Sequence, residues 1–429
     1  MSHATPTAGN TEVAARPGAA RICVITAGHL STCPRMLKAA DALQRAGYFV
    51  RVVSAGYVPW AATADAALRR RHSWAWRTID FDRKRAPFLA YGSGLRQRLA
   101  RGWARLIGTQ ACGLAIAGRA YLRVYPELLA AALADPADLY YAGGGALLVA
   151  AEAARRTGGA FGLDLEDFHS GEQEGELAWL GNGLARRIER EILPRAHFLT
   201  AASGAISEAY QEAYGVRPLT INNTFPLPAD PPPLAPPTGP LKLYWFSQTV
   251  GPQRGLEEVV QAVAASEISA ELHLRGRAIP GYREALGGLA AECGTRLKIF
   301  EHLPASPDRM VELCGGYDIG LAVEQPHTIS RSVCLTNKAF TYILAGLAVI
   351  FTDTPGQRGL ATDLGEAAAM YPPGDVAALA KALRRWDEDR TLLARAQQAA
   401  WEAARRRWHW EHDLERGALL RAVAAAVGK

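Results

Sequence analysis

Eight prolines fall within the fifteen residues Pro226–Pro240. A run so poor in backbone donors, with φ fixed at every proline, is neither helix nor central strand and reads as a stiff linker. It divides the 429-residue chain into halves that open alike. The first begins with a short apolar run, Arg21–Thr26, a loop holding Gly28, and a helix from Pro34 with the stripe Met36, Leu37, Ala40 and Leu43. Gly47 stops that helix and Phe49–Ser54 is a second strand. The second half repeats the order with strand Leu241–Phe246, loop Ser247–Gly255 and helix Leu256–Ala265. Strand, glycine-bearing loop, helix and strand open a doubly wound α/β domain. The length suits two cores. The expected division is a polar, disordered tail (1–19), an N-terminal domain (20–226), the linker (227–240), a C-terminal domain (241–408) and a last helix (409–429) returning to the first half.

Further strands at Glu271–Leu274, Arg296–Phe300, Ile319–Val323 and Leu347–Phe351 alternate with helices, which makes the second sheet parallel. In the first half Asp138–Ala142 leads into three glycines, and Phe161–Leu165 delivers Asp164, Glu166, Asp167 and His169 to a strand's C-terminal end. Open α/β sheets place their chemistry there. Ser330–Gln357 reads as loop, helix, turn, strand and loop, with Thr336-Asn337 as cap and Gly346 as stop. Lys338 in the first turn, with the free N–H groups of that helix, suits an anion such as a diphosphate. The same stretch equally suits an ordinary helix–strand pair.

The formal net charge is +6, but Arg69–Arg123 alone holds 13 Lys or Arg against 2 Asp, so the remainder is net negative by five. Within this basic segment Leu95, Leu99, Trp103, Leu106 and Ile107 share one helical face, and Arg96, Arg98, Arg101 and Arg105 lie away from it. With Trp74 and Trp76 nearby, this pattern suits a helix on an anionic membrane surface, Trp74, Arg98 and Trp103 being the candidate contacts to membrane or acceptor. The alternative is a helix packed on its own domain with a solvated basic back. No nucleic-acid recognition motif accompanies the charge. No run of 18 apolar residues occurs, and six scattered cysteines without metal-ligand spacing point to a reducing, cytoplasmic setting.

In the order and spacing of its motifs the chain resembles glycosyltransferases of the GT-B fold, the family 4 type of retaining enzymes that use nucleotide sugars. The matches are the Gly28–Arg35 loop and helix, Ala202-Ser203, Val250–Glu258, Asp318–Glu324, Thr336–Gly346, Thr354–Gly356 and Pro373–Asp375. The resemblance implies α/β architecture with two Rossmann-like domains facing a cleft, the donor nucleotide in the C-terminal half and the acceptor in the N-terminal half. It implies Arg254, Lys338 and Asn337 on the donor diphosphate, Gly28 admitting the donor to the backbone, and Glu324 as a further donor contact. Fixed cations there meet the charge that builds on the leaving diphosphate. It also implies no metal and no cofactor. Asp80-Phe-Asp82 fits the metal-binding DxD pattern only by chance.

The chain departs from the family pattern at four places. Thr341 and Val333 stand where the family has glutamates, and Gln248 where it often has arginine. The family's active-site histidine falls at Glu166, with His169 three residues on as a substitute. Glu166 and His169 are therefore the candidates for acceptor orientation or transition-state support. The expected function is hexosyl transfer with retention to a hydroxyl of a glycan or lipid-linked acceptor, in the cytoplasm or at the inner membrane face. The departures leave a second reading, a non-catalytic subunit of this fold that binds membrane or a partner transferase.

Overall fold

The computed structural model describes residues 18–232 and 239–428. Residues 1–17 of the expected tail and 233–238 of the expected linker lie outside the described residues. The chain separates into two compact units: Met1–Leu165, Glu176–Thr200 and Leu419–Lys429 form the first, and Glu166–Gly175 with Ala201–Ala418 the second.

Seven strands form the first sheet: β1 (Arg21–Thr26), β2 (Phe49–Gly56), β3 (Ala75–Asp80), β4 (Leu139–Gly143), β5 (Ala160–Leu165), β6 (Phe198–Ala201) and β7 (Leu219–Thr220). Their order is β3-β2-β1-β4-β5-β6-β7. The registers Ile22 to Val50 and Ile22 to Leu139 are parallel on both sides of β1. Ile22, Val24 and Ile25 are buried on both faces, as short β-branched runs in a helix-covered parallel sheet must be.

The second sheet comprises β8 (Leu241–Val250), β9 (Ala270–Ala278), β10 (Leu297–His302), β11 (Ile319–Ala322), β12 (Ala348–Thr352) and β13 (Ala368–Tyr371). The order is β10-β9-β8-β11-β12-β13, and each neighbouring pair is parallel. One core cluster joins Leu243, Trp245 and Leu272 to Val259, Val263 and Leu383, and a second joins Val349 and Phe351 to Phe340 and Ile343. Each strand thus buries alternate residues against opposite helical layers.

Three elements differ from expectation. β8 continues through Val250, because Thr249 and Val250 still pair with Arg277 and Ala278 beyond a register shift after Phe246. Ser247–Val250, expected as loop, is therefore strand, with Gln248 exposed on its outer end. The last helix is shorter than the expected 409–429: a π-helical turn at Asp413–Gly417 precedes the helix Ala418–Ala426. The basic helix is longer, Pro87–Ile107, with proline in its first turn.

Candidate functional site

In the second sheet strand order reverses between β8 and β11, the point where open α/β sheets bind their ligands, outside the C-terminal ends of the strands. After β8 the loop passes Gln253 (φ 61°) and Gly255 (φ 75°) before the helix Leu256–Ser266. A Cβ on Gly255 would stand 2.4 Å from the carbonyl oxygen of Val323, at the end of β11. Only glycine permits both the left-handed backbone and that approach. The close approach fixes half-buried Arg254 beside the loop that follows β11.

Glu324 stands in that loop, 4% exposed. One carboxylate oxygen accepts from Lys338 Nζ, and the other lies 3.6 Å from Arg331 Nη1. Burial pushes its carboxyl up, but Lys338, Arg331 and Arg254 together hold it below the ordinary glutamate range. Arg254 is shifted down by burial and then by the like charge of Arg331. Lys338 lies 5.5 Å from the Trp245 ring centroid, a cation–π approach that fixes its stem. Two cations, Lys338 and Arg331, pair with this one carboxylate, and a third, Arg254, acts on it electrostatically.

Lys338 reaches this point from the first turn of the helix Asn337–Leu344. Its N-cap, Thr336, makes no side-chain capping bond, and its buried Oγ1 has no partner among the described residues. An unsatisfied hydroxyl, free N–H groups and a lysine at one helix end favour a bound anion. The short helix Ile329–Val333 supplies Arg331, and Gly356 lets the loop after it pack down: a Cβ there would meet the carbonyl of Cys334 at 2.4 Å.

Glu166–Gly175 belongs to this same unit. The Phe168 N–H donates to Ser330 Oγ at 3.2 Å, and the Ser330 hydroxyl donates to Asp167 at 3.4 Å. The carboxyl of Asp167 is raised by burial and by Glu172. Glu172 is lowered, first by its hydrogen bond with His169, whose Nδ1 lies 3.3 Å away. Arg331 acts electrostatically on Asp167, Glu172 and Glu324 alike, and so links the acids of this segment to the cation cluster. Sequence reasoning gave Arg331 no role and placed Asp167 only among the acids at the strand end. The signal available was a lone arginine three residues from Thr328, the hydroxyl that caps its helix.

Other expected residues are placed differently. Asp164, expected among the strand-end acids, is a structural anchor, gripped by Arg35 at 2.8 and 2.6 Å and by Thr200 at 2.5 Å. Glu166 is half-buried, 3.5 Å from the Asn223 amide. Asn337 opens its helix, its carbonyl accepting from Thr341. Thr341 is fully buried and closed on its own helix, and Val333 offers its carbonyl to Ser203 at 2.9 Å. Gly28 belongs to the first unit, and a Cβ added there would meet nothing within 4 Å, so packing does not demand the glycine. Trp74 is excluded as a surface contact: it is 6% exposed and stacks on His72 at 4.1 Å. Asp80 and Asp82 are spent locally, on Arg85 and on backbone N–H groups of their own turn.

Residues 254–417 match a family model described as glycosyl transferase-like. Among solved structures, sucrose-phosphate synthase from Thermosynechococcus elongatus is 16% identical over 95% of this chain and 100% of that one, with TM-score 0.65. Anabaena HepE in complex with UDP-glucose is 16% identical over 95% and 99% of the two chains, with TM-score 0.62. A TarM variant from S. aureus, in complex with fondaparinux, alpha-GlcNAc-glycerol and UDP, is 9% identical over 96% and 100%, with TM-score 0.63. The chain has the GT-B fold and carries a glycosyl transferase-like domain. No curated protein sequence matches it. Arg254, Glu324, Arg331 and Lys338 all fall inside that domain.

Proposed function

We propose that the protein is a retaining, metal-independent glycosyltransferase that moves a hexosyl group from a nucleotide-diphosphate sugar to a hydroxyl of a glycan or lipid-linked acceptor. The observation that carries the reading is the pairing of Lys338 and Arg331 with the single carboxylate of Glu324, on which Arg254 also acts electrostatically. As the glycosidic bond breaks, negative charge grows on the departing diphosphate, and fixed cations aimed there stabilise the transition state more than the ground state. Thr336 and the N–H groups of its helix add neutral donors for the same oxygens. Because protein cations do this work, no metal is called for. UDP or UDP-glucose bound in the structures of HepE and TarM supports the donor class.

On the acceptor side the candidates are Glu166 and His169, with Asp167 and Glu172 beside them. His169 shares a hydrogen bond with Glu172, and burial raises the carboxyl of Asp167 beside them, the direction a proton-exchanging group needs. Gly28 keeps the role of admitting ligand atoms to the backbone of the first unit. The acceptor is membrane-proximal and the enzyme works at the inner membrane face.

The test is a donor screen with detection of released nucleotide. At least one nucleotide sugar is turned over in the presence of acceptor, and Arg254→Ala cuts turnover on the order of a hundredfold. The second reading, a non-catalytic subunit, is favoured by Thr341, which is sealed in its own helix where the family pattern has a ribose-gripping glutamate. Calorimetric titration with UDP-, GDP- and dTDP-sugars separates the two, since binding of none selects the subunit.

A further inference from the structure

The helix Pro87–Ile107 has two unlike faces. Ala90, Ser93, Ala100 and Ala104 are buried, and small residues there let it pack closely on the helix Leu114–Tyr121. Phe88, Tyr91, Leu95, Leu99, Trp103 and Leu106 are exposed, from 50% at Trp103 to 94% at Phe88. At about 100° per residue these six fall within roughly a third of the helix circumference, and at about 1.5 Å per residue they extend about 27 Å. Single exposed hydrophobes are ordinary, but a continuous stripe of large ones marks a surface that binds something apolar. Leu95, Leu99 and Trp103 also line, with Ile116 and Arg119, a shallow depression of about 440 Å³.

The charges beside the stripe define the partner. Arg98 and Arg105 are exposed on one edge, and Arg83 and Lys84 on the approach to the helix. None of the four has an acidic partner within salt-bridge distance among the described residues. Arg123, already disfavoured as a cation by burial, is lowered further by Arg83 and Arg98, the mark of cations crowded without neutralisation. A second copy of this chain would bring the same positive face against itself, which opposes self-association. A polyanion alone would leave the apolar stripe in water.

We propose that this face of the helix Pro87–Ile107 docks on an anionic lipid bilayer, its apolar stripe entering the boundary between headgroups and acyl chains while Arg98 and Arg105 meet lipid phosphates. The helix lies on the surface and does not cross it, since no helix among the described residues is long and apolar enough to span a membrane. The choice of partner rests on the reading of a membrane-proximal acceptor, and the surface lies outside the cation cluster of the donor site.

The test is co-sedimentation of the full chain with vesicles of phosphatidylcholine alone or with about one-third phosphatidylglycerol. Partition onto the anionic vesicles exceeds that onto neutral ones on the order of tenfold or more, and falls as salt is raised. Leu99→Glu combined with Trp103→Glu abolishes it, and Arg98→Glu with Arg105→Glu lowers it on the order of tenfold. All four side chains are exposed, so thermal melting by circular dichroism stays as in the parent. Equal sedimentation with both vesicles, none with either, or indifference to the leucine and tryptophan substitutions overturns the proposal. So does a reversible dimer in analytical ultracentrifugation that those substitutions dissolve. The calorimetric sugar-nucleotide screen reports separately: vesicle binding without nucleotide binding sinks the transferase reading alone, and the reverse sinks the membrane face alone.

Discussion

Two buried ion pairs stand at strand ends of the two sheets, and they are built to opposite purposes. Asp164, in β5, accepts two bonds from Arg35, one from Thr200 and a longer one from Tyr141 at 3.3 Å. One guanidinium and two neutral hydroxyls fill the lone pairs of this carboxylate, so its acceptor positions are closed. Glu324, after β11, instead has two cations paired to it and a third acting on it, and the Thr336 hydroxyl at the helix end that carries Lys338 has no partner among the described residues. Burial is nearly equal, 1% exposed for Asp164 and 4% for Glu324. Charge balance therefore separates scaffold from site where burial and position in the sheet do not.

The largest expected effect tests the closed pair. Asp164→Ala removes the buried carboxylate that accepts two bonds from the Arg35 guanidinium, which costs about 3–5 kcal/mol of unfolding free energy. Urea denaturation reads this directly. A loss under about 1 kcal/mol would mean that water reaches Arg35 and that the pair is not closed. Arg254→Ala works the other way. It leaves stability close to the parent, because a like charge is removed from a crowded cluster, and it loses on the order of a hundredfold in turnover, about 2.7 kcal/mol of transition-state stabilisation. A variant that melts early at unchanged turnover would move Arg254 from the site to the scaffold.

Glu324→Gln sharpens the same contrast at smaller magnitude. Without the carboxylate, Lys338, Arg331 and Arg254 repel one another, and the ligand-free protein loses stability. A bound diphosphate restores the missing counter-charge, so the rise in melting temperature on adding a nucleotide diphosphate is larger in the variant than in the parent. The pH dependence follows from the direction of the shift. Glu324 is held below its unfolded value, so its contribution is present above the ordinary glutamate range and is lost as pH falls through its folded value. Differential scanning calorimetry from neutral to acid pH shows that loss in the parent, and the variant lacks its part of the slope.

The fold was legible because its signals are local. β-branched runs, a glycine loop and a proline at the first helical turn mark β1 and the helix Pro34–Arg45 within a few residues. Arg254 and Lys338 were legible as cations, and their meeting at Glu324 is a product of strand order. Three things were hidden. Asp164 and Glu166 are near neighbours in sequence, but Arg35, which pairs with Asp164, is 129 residues away. Arg331 carried no motif, yet it links Glu324 to Asp167 and Glu172. The stripe of the helix Pro87–Ile107 could be read as periodicity, but periodicity does not say which face meets the protein. The small residues Ala90, Ala100 and Ala104 took the inner face and left the large ones outside.

The smallest effect concerns Thr341, the departure that most favours a non-catalytic reading. Its hydroxyl donates to the Asn337 carbonyl at 3.0 Å inside the helix that carries Lys338, and its side chain is fully buried. Thr341→Val keeps the shape and removes one neutral hydrogen bond, so it costs about 1 kcal/mol of stability. Because Lys338, in the same turn, keeps its place against Glu324 and Trp245, the affinity for whichever nucleotide sugar binds stays within about twofold, a few tenths of a kcal/mol. A tenfold loss of affinity at unchanged stability would show that the hydroxyl turns from its helix to grip the ribose. In that case position 341 would join the open, charged side of the comparison and leave the closed one.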